Sequence, residues 1–295
     1  MTKFFSYIAY GFIKLLSYLP LRALYIFSDI IFFIVYHVVG YRKQVVHTNL
    51  KNAFPHKSDK EIKKIGREFF SHFCDSFIET IKLWTISEKE IKKRCKFLQP
   101  DFFNQYIESG KSVMAILGHY GNWEWMTSFP AWKDVNLLPI YKPLHNKVFD
   151  KLYIQLRERF GAKTLPKDDT LRTMLRYRSE KEFTVTVFLG DQTPNKNSIH
   201  YWTKFLNQDT PILQGTERIA KKLDQAVVFC SMQKVKRGYY EVDFIPLFDN
   251  PKEAIENEIT EKHTRILEEI IQKNPAYWLW SHKRWKHKKT VNSEQ

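Results

Sequence analysis

The longest apolar segment of the chain lies within its first forty residues. Residues 4–39 are interrupted by two basic residues and one acid, and Pro20 divides them in two. Their most apolar part, residues 23–39, has 17 residues, slightly fewer than the roughly 20 that a bilayer-spanning helix needs. The segment therefore spans a membrane or lies in its interface as an amphipathic hairpin, and a buried core helix is the third interpretation. Because it lacks a small-residue cleavage site, we do not interpret it as a removed signal peptide.

Many basic residues follow this segment in the sequence, whereas only Lys3 precedes it. Arg42 and Lys43 follow directly, and five lysines stand between residues 51 and 64. If the segment spans, this asymmetry places the rest of the chain in the cytoplasm. With no internal repeat or interdomain linker, the simplest division is an anchor at residues 1–40 and one domain at residues 41–295.

A single apolar stripe predicts a long helix after the anchor. Ser58 and Glu61 have the spacing of a capping box at its start. Apolar side chains then recur at steps of three and four residues, at Ile62, Ile65, Phe69, Phe73, Phe77 and Ile81. A basic helix or loop follows at residues 86–96.

From about residue 110, short β-rich segments alternate with helical periods. The segments that favour strands are residues 112–117, 135–141, 183–190, 226–233 and 239–246. The helical periods cover residues 149–160, 211–223 and 252–273. Strands interleaved with helices indicate an α/β fold in which a central mixed sheet is flanked by helices.

Polar residues gather just past the first three predicted strands. His119 follows the first strand, Lys142 the second, and Asp191 with Gln192 the third. In open α/β sheets, ligands bind beyond the carboxyl ends of the strands. We therefore expect a functional site at this edge of the sheet.

The stretch GHYGNWEW at residues 118–125 permits three interpretations. His119 and Glu124 do not have the spacing of a two-histidine metal site, and no third ligand stands nearby. As a general base and its orienting carboxylate they would activate a hydroxyl, with Asn122 or backbone N–H groups facing a developing oxyanion. Gly118 and Gly121 would allow a tight turn and close approach of a substrate. A capped loop with Glu124 in the first helical turn is the structural alternative, and the spacing alone leaves it open.

Charge and aromatic content favour an anionic or membrane environment. Lys and Arg number 47 against 32 Asp and Glu, for a net charge of +15, and 16% of residues are aromatic. Such a balance suits nucleic acid, anionic lipid, or an acidic or phosphorylated partner, and the aromatic content favours the membrane. The three cysteines are odd in number and far apart, so we expect idle or buried thiols in a reducing compartment.

Six blocks together carry a resemblance to a known family. The chain is similar to the late, or secondary, lipid A biosynthesis acyltransferases, the lauroyl and myristoyl transferases of the HxxxxD/E acyltransferase superfamily. The motif GHYGNWE is its HxxxxE form. In order along the chain, the matching blocks are residues 41–55, 118–124, 141–161, 188–192, 205–228 and 274–286.

The resemblance implies a membrane-anchored enzyme with a glycerolipid-acyltransferase-like α/β fold, no cofactor and no metal. It would move a fatty acyl chain from acyl carrier protein to a hydroxyl of a lipid A precursor. The enzyme would sit on the bacterial inner membrane with its catalytic domain facing the cytoplasm, and nucleic acid would not be a partner. The basic surface would then attract the acidic carrier protein and anionic headgroups.

The resemblance also implies roles for single residues. His119 would be the general base with Glu124 as its partner, Arg157 would bind phosphate or the oxyanion, and Asp191 would hold a base or the acceptor. Substrate binding would involve Asn122, Lys142, Asn146, Arg159 and Gln192. The structural alternatives are a solvated helix face for Arg157 and a turn residue for Asp191.

Two departures from the family pattern concern recognition of the acceptor. Lys142 stands where the family usually has arginine, which keeps the charge but loses the bidentate fork. The stretch after Asp191–Gln192 lacks a glycine that many relatives have. One alternative is acyl transfer, from acyl-CoA or acyl carrier protein, to another glycolipid or aminolipid. A remoter one is a non-enzymatic, basic, membrane-bound scaffold.

Overall fold

The computed structural model describes residues 2–289 and contains nine β-strands. Seven of them form one sheet, and the other two form a separate hairpin. In chain order the strands are β1 (Cys95–Phe97), β2 (Val113–Leu117), β3 (Asn136–Tyr141), β4 (Leu165–Pro166), β5 (Thr184–Leu189), β6 (Trp202–Phe205), β7 (Gln208–Pro211), β8 (Ala226–Lys236) and β9 (Tyr239–Phe248).

The large sheet has the order β1-β9-β8-β2-β5-β3-β4. All neighbouring strands are parallel except β8 and β9, which form an antiparallel pair. The predicted mixed α/β fold is therefore confirmed. In the central pair, Leu117 of β2 lies opposite Leu189 of β5, so these two strands end level with each other. Residues two positions beyond each strand are thereby brought together at the same edge of the sheet.

Ten α-helices accompany the strands in the described part of the chain. They are α1 (Thr2–Ser17), α2 (Leu21–Phe33), α3 (Lys43–Ala53), α4 (Asp59–Lys82), α5 (Glu88–Arg94), α6 (Asn104–Glu108), α7 (Lys147–Glu158), α8 (Thr170–Ser179), α9 (Gly215–Leu223) and α10 (Glu258–Lys273). The predicted capping box is present at the start of α4, where Ser58 and Glu61 exchange hydrogen bonds.

Both faces of the sheet are covered, which explains the continuous apolar sequence of β2. Every residue of β2 is buried. Val113, Ala115 and Leu117 join the core on one face, whereas Met114 and Ile116 join the core on the other. This alternation is expected for a strand whose successive side chains point to opposite faces of a doubly covered sheet.

The N-terminal segment forms two helices, α1 and α2, joined by a short turn at Pro20, and we call this pair the N-terminal hairpin. Both helices contact α4. The second helix continues from α2 through a π-helical turn, Ile34–Val39, and ends at Gly40, whose φ is +65°. Leu21–Val39 is long and apolar enough to cross a membrane, with a mean hydropathy of 1.7. Only 11% of this apolar stretch is buried inside the protein, so the helix is not a core helix. The division into an anchor at 1–40 and one domain at 41–295 stays a prediction, and residues 290–295 lie outside the described residues.

The sequence missed several short elements. Strand β4 has two residues and β1 three, too few to show a periodicity. The hairpin of β6 and β7 and helix α8 are mostly polar, and their sequences lack the apolar stripe that marks the longer elements. The helix expected at 211–223 begins at Gly215, because Pro211 is the last residue of β7 and residues 212–214 connect the two elements.

A buried carboxylate joins α2, the sheet and the loop after β2. Glu79 of α4 is fully buried and accepts hydrogen bonds from the Tyr25 and Tyr240 hydroxyls, both at 2.8 Å, and from Asn122 Nδ2 at 2.7 Å. Its backbone carbonyl accepts the indole N–H of Trp125 at 3.1 Å. Burial raises the pKa of Glu79 above its ordinary value. One side chain thus holds three separate parts of the chain together.

We expect Glu79→Ala to lower the free energy of unfolding by about 3 kcal/mol or more, because three buried donors lose their acceptor and a void remains. The control is Lys51→Ala, which removes the exposed ion pair to Asp59 and should cost no more than about 1 kcal/mol. Urea unfolding followed by tryptophan fluorescence measures both. Equal stability of the two variants would show that the Glu79 network does not support the fold.

Candidate active site

His119 and Asp191 meet at the carboxyl edge of the sheet. Each lies two residues beyond its strand, and the register of β2 and β5 places them side by side. His119 Nδ1 donates a hydrogen bond to Asp191 Oδ1 at 2.6 Å, and the His119 backbone N–H donates to Oδ2 at 2.8 Å. The carboxylate therefore holds both the ring and the backbone of the histidine.

A tryptophan from the C-terminal segment completes the clamp on Asp191. The indole N–H of Trp278 donates to Oδ2 at 2.8 Å, and Asp191 is almost entirely buried. Burial alone would raise the pKa of Asp191, but the attraction and hydrogen bonds of His119, with the Trp278 N–H, hold that pKa well below its usual range. Asp191 is therefore ionised near neutral pH, so the proton of a neutral His119 ring resides on Nδ1 and Nε2 keeps its lone pair.

Glycines at two positions make the turn that carries His119. A Cβ added at Gly118 would lie 2.6 Å from Leu267 Cδ1, and Gly121 has a φ of +62°, which L side chains rarely adopt. The C-terminal segment then pairs with the turn, because Leu279 N–H donates to the His119 carbonyl at 3.1 Å. The sequence expectation of a tight turn here is confirmed.

His119 opens into the largest described cavity of the protein, which has a volume of about 560 Å³. Its polar lining includes His119, Lys142, Arg157, Lys167 and Gln192, and most of the remaining wall is apolar. A second, small cavity of about 30 Å³ shares Trp123, Glu124 and Arg157 with the large one. The rest of its lining is mostly apolar and includes Leu117, Met126, Leu137 and Val187. The amide nitrogen of the exposed Gln192 lies 3.3 Å from His119 Nε2, where a substrate hydroxyl would bind.

Glu124 is paired with Arg157. Arg157 Nε donates to Oε2 at 2.7 Å and Nη2 donates to Oε1 at 2.6 Å, a bidentate pair with both side chains largely buried. Burial opposes ionisation of Glu124, but the Arg157 guanidinium overrides it and holds the pKa of Glu124 below its ordinary value. Arg157 is thus fixed in the cavity wall, and the interpretation of a solvated helix face is wrong.

The structure corrects the expectation that Glu124 is the carboxylate partner of His119. That position on Nδ1 belongs to Asp191, which comes from a neighbouring strand, while both oxygens of Glu124 accept from Arg157. The expected oxyanion role of Asn122 is not supported either. Asn122 is buried and donates to Glu79, so it stabilises the loop behind the cavity.

Two further predicted substrate-binding residues lie outside the cavity lining. Arg159 donates to the carbonyls of Trp84 and Ile86, at 3.0 and 2.6 Å, because it points from the end of α7 towards the loop after α4. Asn146 caps the start of α7, accepting from the Val148 and Phe149 N–H groups. Lys142 and Gln192 do line the cavity, as a substrate-binding role requires.

The sequence analysis missed the individual roles of two residues around the clamp. Trp278 holds Asp191, and His282 lines a small cavity together with His119 and Asp191. Burial lowers the pKa of His282 to about 4, and its Nε2 lies 3.0 Å from the Thr193 hydroxyl. The only sequence signal for Trp278 and His282 was the resemblance of residues 274–286 to the family, and no local sequence pattern could predict which residues they contact.

The arrangement has the chemistry of a site that activates a hydroxyl. A neutral imidazole with an ionised carboxylate on Nδ1 can take a proton at Nε2 near pH 7. Among residues 2–289, no group of three or more His, Cys, Asp or Glu is placed to hold a metal ion. A histidine with a free ring nitrogen, a buried cation and apolar walls thus share one cavity of an α/β fold, which suits an enzyme that acts on a substrate with an apolar group.

The chain belongs to the family described as bacterial lipid A biosynthesis acyltransferases, whose model matches residues 1–287. A lipid A biosynthesis acyltransferase of Haemophilus influenzae is 20% identical over 274 residues, covering 91% of this chain and 83% of that protein. The lipid A biosynthesis lauroyltransferase of Escherichia coli K12 is 20% identical over 246 residues, and the palmitoleoyltransferase 21% over 248 residues. Each of these two matches covers 83% of this chain and 79% of the relative. The protein is therefore an acyltransferase.

We expect Arg157→Ala to abolish activity and to lower the free energy of unfolding by about 3–5 kcal/mol, because Glu124 is left buried without its partner. Arg159→Ala, two residues away, removes two hydrogen bonds outside the cavity and should keep turnover near that of the wild type. An acyl-transfer assay and urea unfolding on both variants test this pair. Equal losses of turnover in the two variants would contradict the assignment of Arg157 to the cavity.

We expect Asp191→Asn to lower kcat by about 10²- to 10⁴-fold, because an amide cannot stabilise the imidazolium or hold the Nδ1–H tautomer as the carboxylate does. Thermal unfolding at pH 7 confirms that the variant is folded. A kcat within a few-fold of the wild type would rule out a role for the carboxylate in catalysis.

The same variant has a predicted signature in acid. The folded-state pKa of Asp191 lies below its unfolded value, so its ionised carboxylate adds stability above about pH 4, and this contribution disappears as the pH falls further. The free energy of unfolding should therefore fall less in Asp191→Asn than in the wild type between about pH 5 and pH 3. Identical acid dependence of the two proteins would contradict the lowered pKa.

Proposed function

We propose that the protein transfers a fatty acyl chain from acyl carrier protein to a hydroxyl of a lipid A precursor, at the cytoplasmic face of the bacterial inner membrane. The observation that carries the proposal is the cavity in which His119 Nε2 lies beside apolar walls and the paired guanidinium of Arg157. The names of the relatives support a lipid A acceptor, and the apolar N-terminal hairpin supports membrane association.

His119 acts as the general base. The acceptor hydroxyl takes the place of the Gln192 amide beside Nε2, gives its proton to Nε2, and its oxygen bonds to the thioester carbonyl carbon. The tetrahedral intermediate then collapses with cleavage of the carbon–sulfur bond, and the imidazolium returns the proton to the sulfur. Asp191 accepts from Nδ1–H throughout and stabilises the imidazolium, so the products are an ester and a free thiol.

Arg157 supplies the positive charge of the site. Its guanidinium lies in the wall of the cavity, and a buried cation stabilises a developing oxyanion or a substrate phosphate more strongly than an exposed one does. Glu124 positions this guanidinium through its two hydrogen bonds. The HxxxxE motif then contributes a base and the positioning residue of a cation, rather than a base and its own carboxylate.

The rest of the cavity divides between the two substrates. The apolar wall of the large cavity fits a fatty acyl chain, since it has few polar groups to leave unpaired. Lys142 and Lys167 fit the phosphate of a phosphorylated acceptor. The net charge of +15 favours encounter with an acidic acyl carrier protein.

Mass spectrometry of an acyl-transfer reaction tests the proposal. Detergent-purified protein is supplied with acyl carrier proteins of several chain lengths and a tetra-acylated lipid A precursor, and His119→Ala is assayed in parallel. We expect the wild type to add the mass of one acyl chain and the variant to lose this activity by about 10²-fold or more. His145→Ala, on the exposed turn before α7, is the matched control and should retain activity.

The remaining outcomes each contradict one part of the proposal. Transfer from acyl-CoA but not from acyl carrier protein would show that acyl-CoA is the donor. If the protein acylates another glycolipid or aminolipid but not the lipid A precursor, that other lipid is the acceptor. Transfer that survives His119→Ala would exclude His119 as the base.

A further inference from the structure

The side of α2 that faces the protein carries hydrogen-bonding groups. Tyr25 Oη donates to Glu79 Oε1 at 2.8 Å, and Ser28 Oγ donates to Asp75 Oδ1 at 2.8 Å. Glu79 and Asp75 are both buried. A helix that crosses a bilayer would have to move away from these acceptors, leaving two buried carboxylates with fewer donors and taking its own polar groups into hydrocarbon.

An ion pair reinforces the docking of α2. Arg237, in the turn between β8 and β9, donates to Asp29 of α2 at 2.6 Å and to Asp75 of α4 at 2.7 Å. The Arg237 guanidinium also lies 4.5 Å from the centre of the Tyr25 ring. The one acidic residue of α2 is thus engaged by the catalytic domain, which fixes the rotation of the helix about its axis.

The opposite side of the hairpin is apolar and exposed. Of 22 large apolar side chains exposed in the described part of the chain, fourteen lie between Phe4 and Val39. Leu15 of α1 is 69% exposed, and Ile30 and Phe33 of α2 are 51% and 59% exposed. A surface helix of a soluble protein normally shows the reverse distribution, and so large an exposed patch indicates a partner. We call the outer side of residues 4–39 the anchor face.

Exposed basic residues lie on the hairpin and on segments next to it. Lys14 and Arg22 are exposed on the hairpin itself, Lys43 follows it, and Lys236 lies in the strand end next to Arg237. Asp29 is neutralised by Arg237. Apolar side chains with a cationic border match a bilayer surface that carries anionic headgroups, in which a helix lies flat with its apolar side in the acyl region.

The hairpin also contacts α7, a helix that contributes to the wall of the cavity. Asn146 at the start of α7 donates to the Ser6 hydroxyl of α1 at 2.9 Å, and Tyr10 donates to Gln155 of α7 at 3.2 Å. The same α7 contributes Tyr153 and Arg157 to the cavity wall. A membrane on the anchor face would therefore lie near a helix of the wall of the cavity that holds His119.

We propose that α1 and α2 lie in the plane of the membrane interface, with the anchor face in an anionic lipid leaflet, and that neither helix crosses the bilayer. The inference deepens the proposed function by placing the lipid surface on the side of the protein where α1 contacts α7. It rests on that function only for the identity of the lipid, because the position of the helices is measured without a reaction.

Cysteine labelling tests the position of the hairpin. The three native cysteines are buried, so Tyr18→Cys, in the exposed turn between α1 and α2, gives a single accessible thiol. Lys57→Cys in the catalytic domain is the matched control. With a membrane-impermeant maleimide, we expect both thiols to react only after intact spheroplasts are lysed or dissolved in detergent. Reaction of Tyr18→Cys in intact spheroplasts, with Lys57→Cys protected, would overturn the proposal.

Vesicle flotation tests the partner of the anchor face. We expect the double variant Ile30→Asp/Phe33→Asp to bind vesicles of phosphatidylcholine and phosphatidylglycerol at least about tenfold more weakly than the wild type, because two apolar side chains leave the acyl region. Ile255→Asp, at an exposed isoleucine outside the hairpin, is the control and should bind like the wild type. Binding to pure phosphatidylcholine vesicles should be weaker for all three proteins.

Two measurements keep the outcomes separate. The wild type and all variants should catalyse acyl transfer in detergent micelles. If the wild type is inactive there, the proposed function is contradicted, but the inference about the membrane still stands. Unchanged vesicle binding by Ile30→Asp/Phe33→Asp would overturn the inference. Light scattering in detergent decides whether this variant instead converts a dimer to a monomer, which would assign the anchor face to a second copy of the chain.

Discussion

The carboxylate of Asp191 is the interaction on which the site depends. It accepts the His119 ring N–H, the His119 backbone N–H and the Trp278 indole N–H, and so joins the ends of β2 and β5 to the C-terminal segment. A buried carboxylate with three donors is ionised and immobile, and a histidine held by it has one orientation and one tautomer. The free nitrogen of His119 consequently faces the cavity, which is the requirement for a base that acts on a bound hydroxyl.

A second buried carboxylate, that of Glu79, also accepts hydrogen bonds from three separate parts of the chain and so stabilises the fold around the site. Glu79 receives donors from α2, from β9 and from Asn122, just before Glu124 in the chain. Helix α2 and the loop after β2 are therefore linked through a single residue of α4. The polar groups that hold α2 on the protein thus also shape the loop that follows His119, which fixes the position of α2 relative to the cavity.

Much of the fold and half of the site followed from local sequence patterns. The long strands, the capping box at Ser58 and the positions of His119, Asp191 and Gln192 beyond their strands all depend on residues close together in the chain. The partner of His119 did not follow, because Asp191 is 72 positions away and becomes a neighbour only when β2 pairs with β5. Nearness in sequence instead suggested Glu124, whose actual partner is Arg157 on α7. Arg159 was misjudged for the same reason, since two positions along a helix turn a side chain to another face.

The tautomer of His119 tests the central claim most directly. In a nitrogen-15 NMR spectrum of histidine-labelled protein, the His119 signals can be assigned by their absence in His119→Ala. We predict that near pH 7 the neutral ring carries its proton on Nδ1, with Nε2 unprotonated, and that Asp191→Asn disturbs this distribution. A neutral ring protonated on Nε2 in the wild type would contradict the account, because a nitrogen that already holds a proton cannot accept one from a substrate hydroxyl.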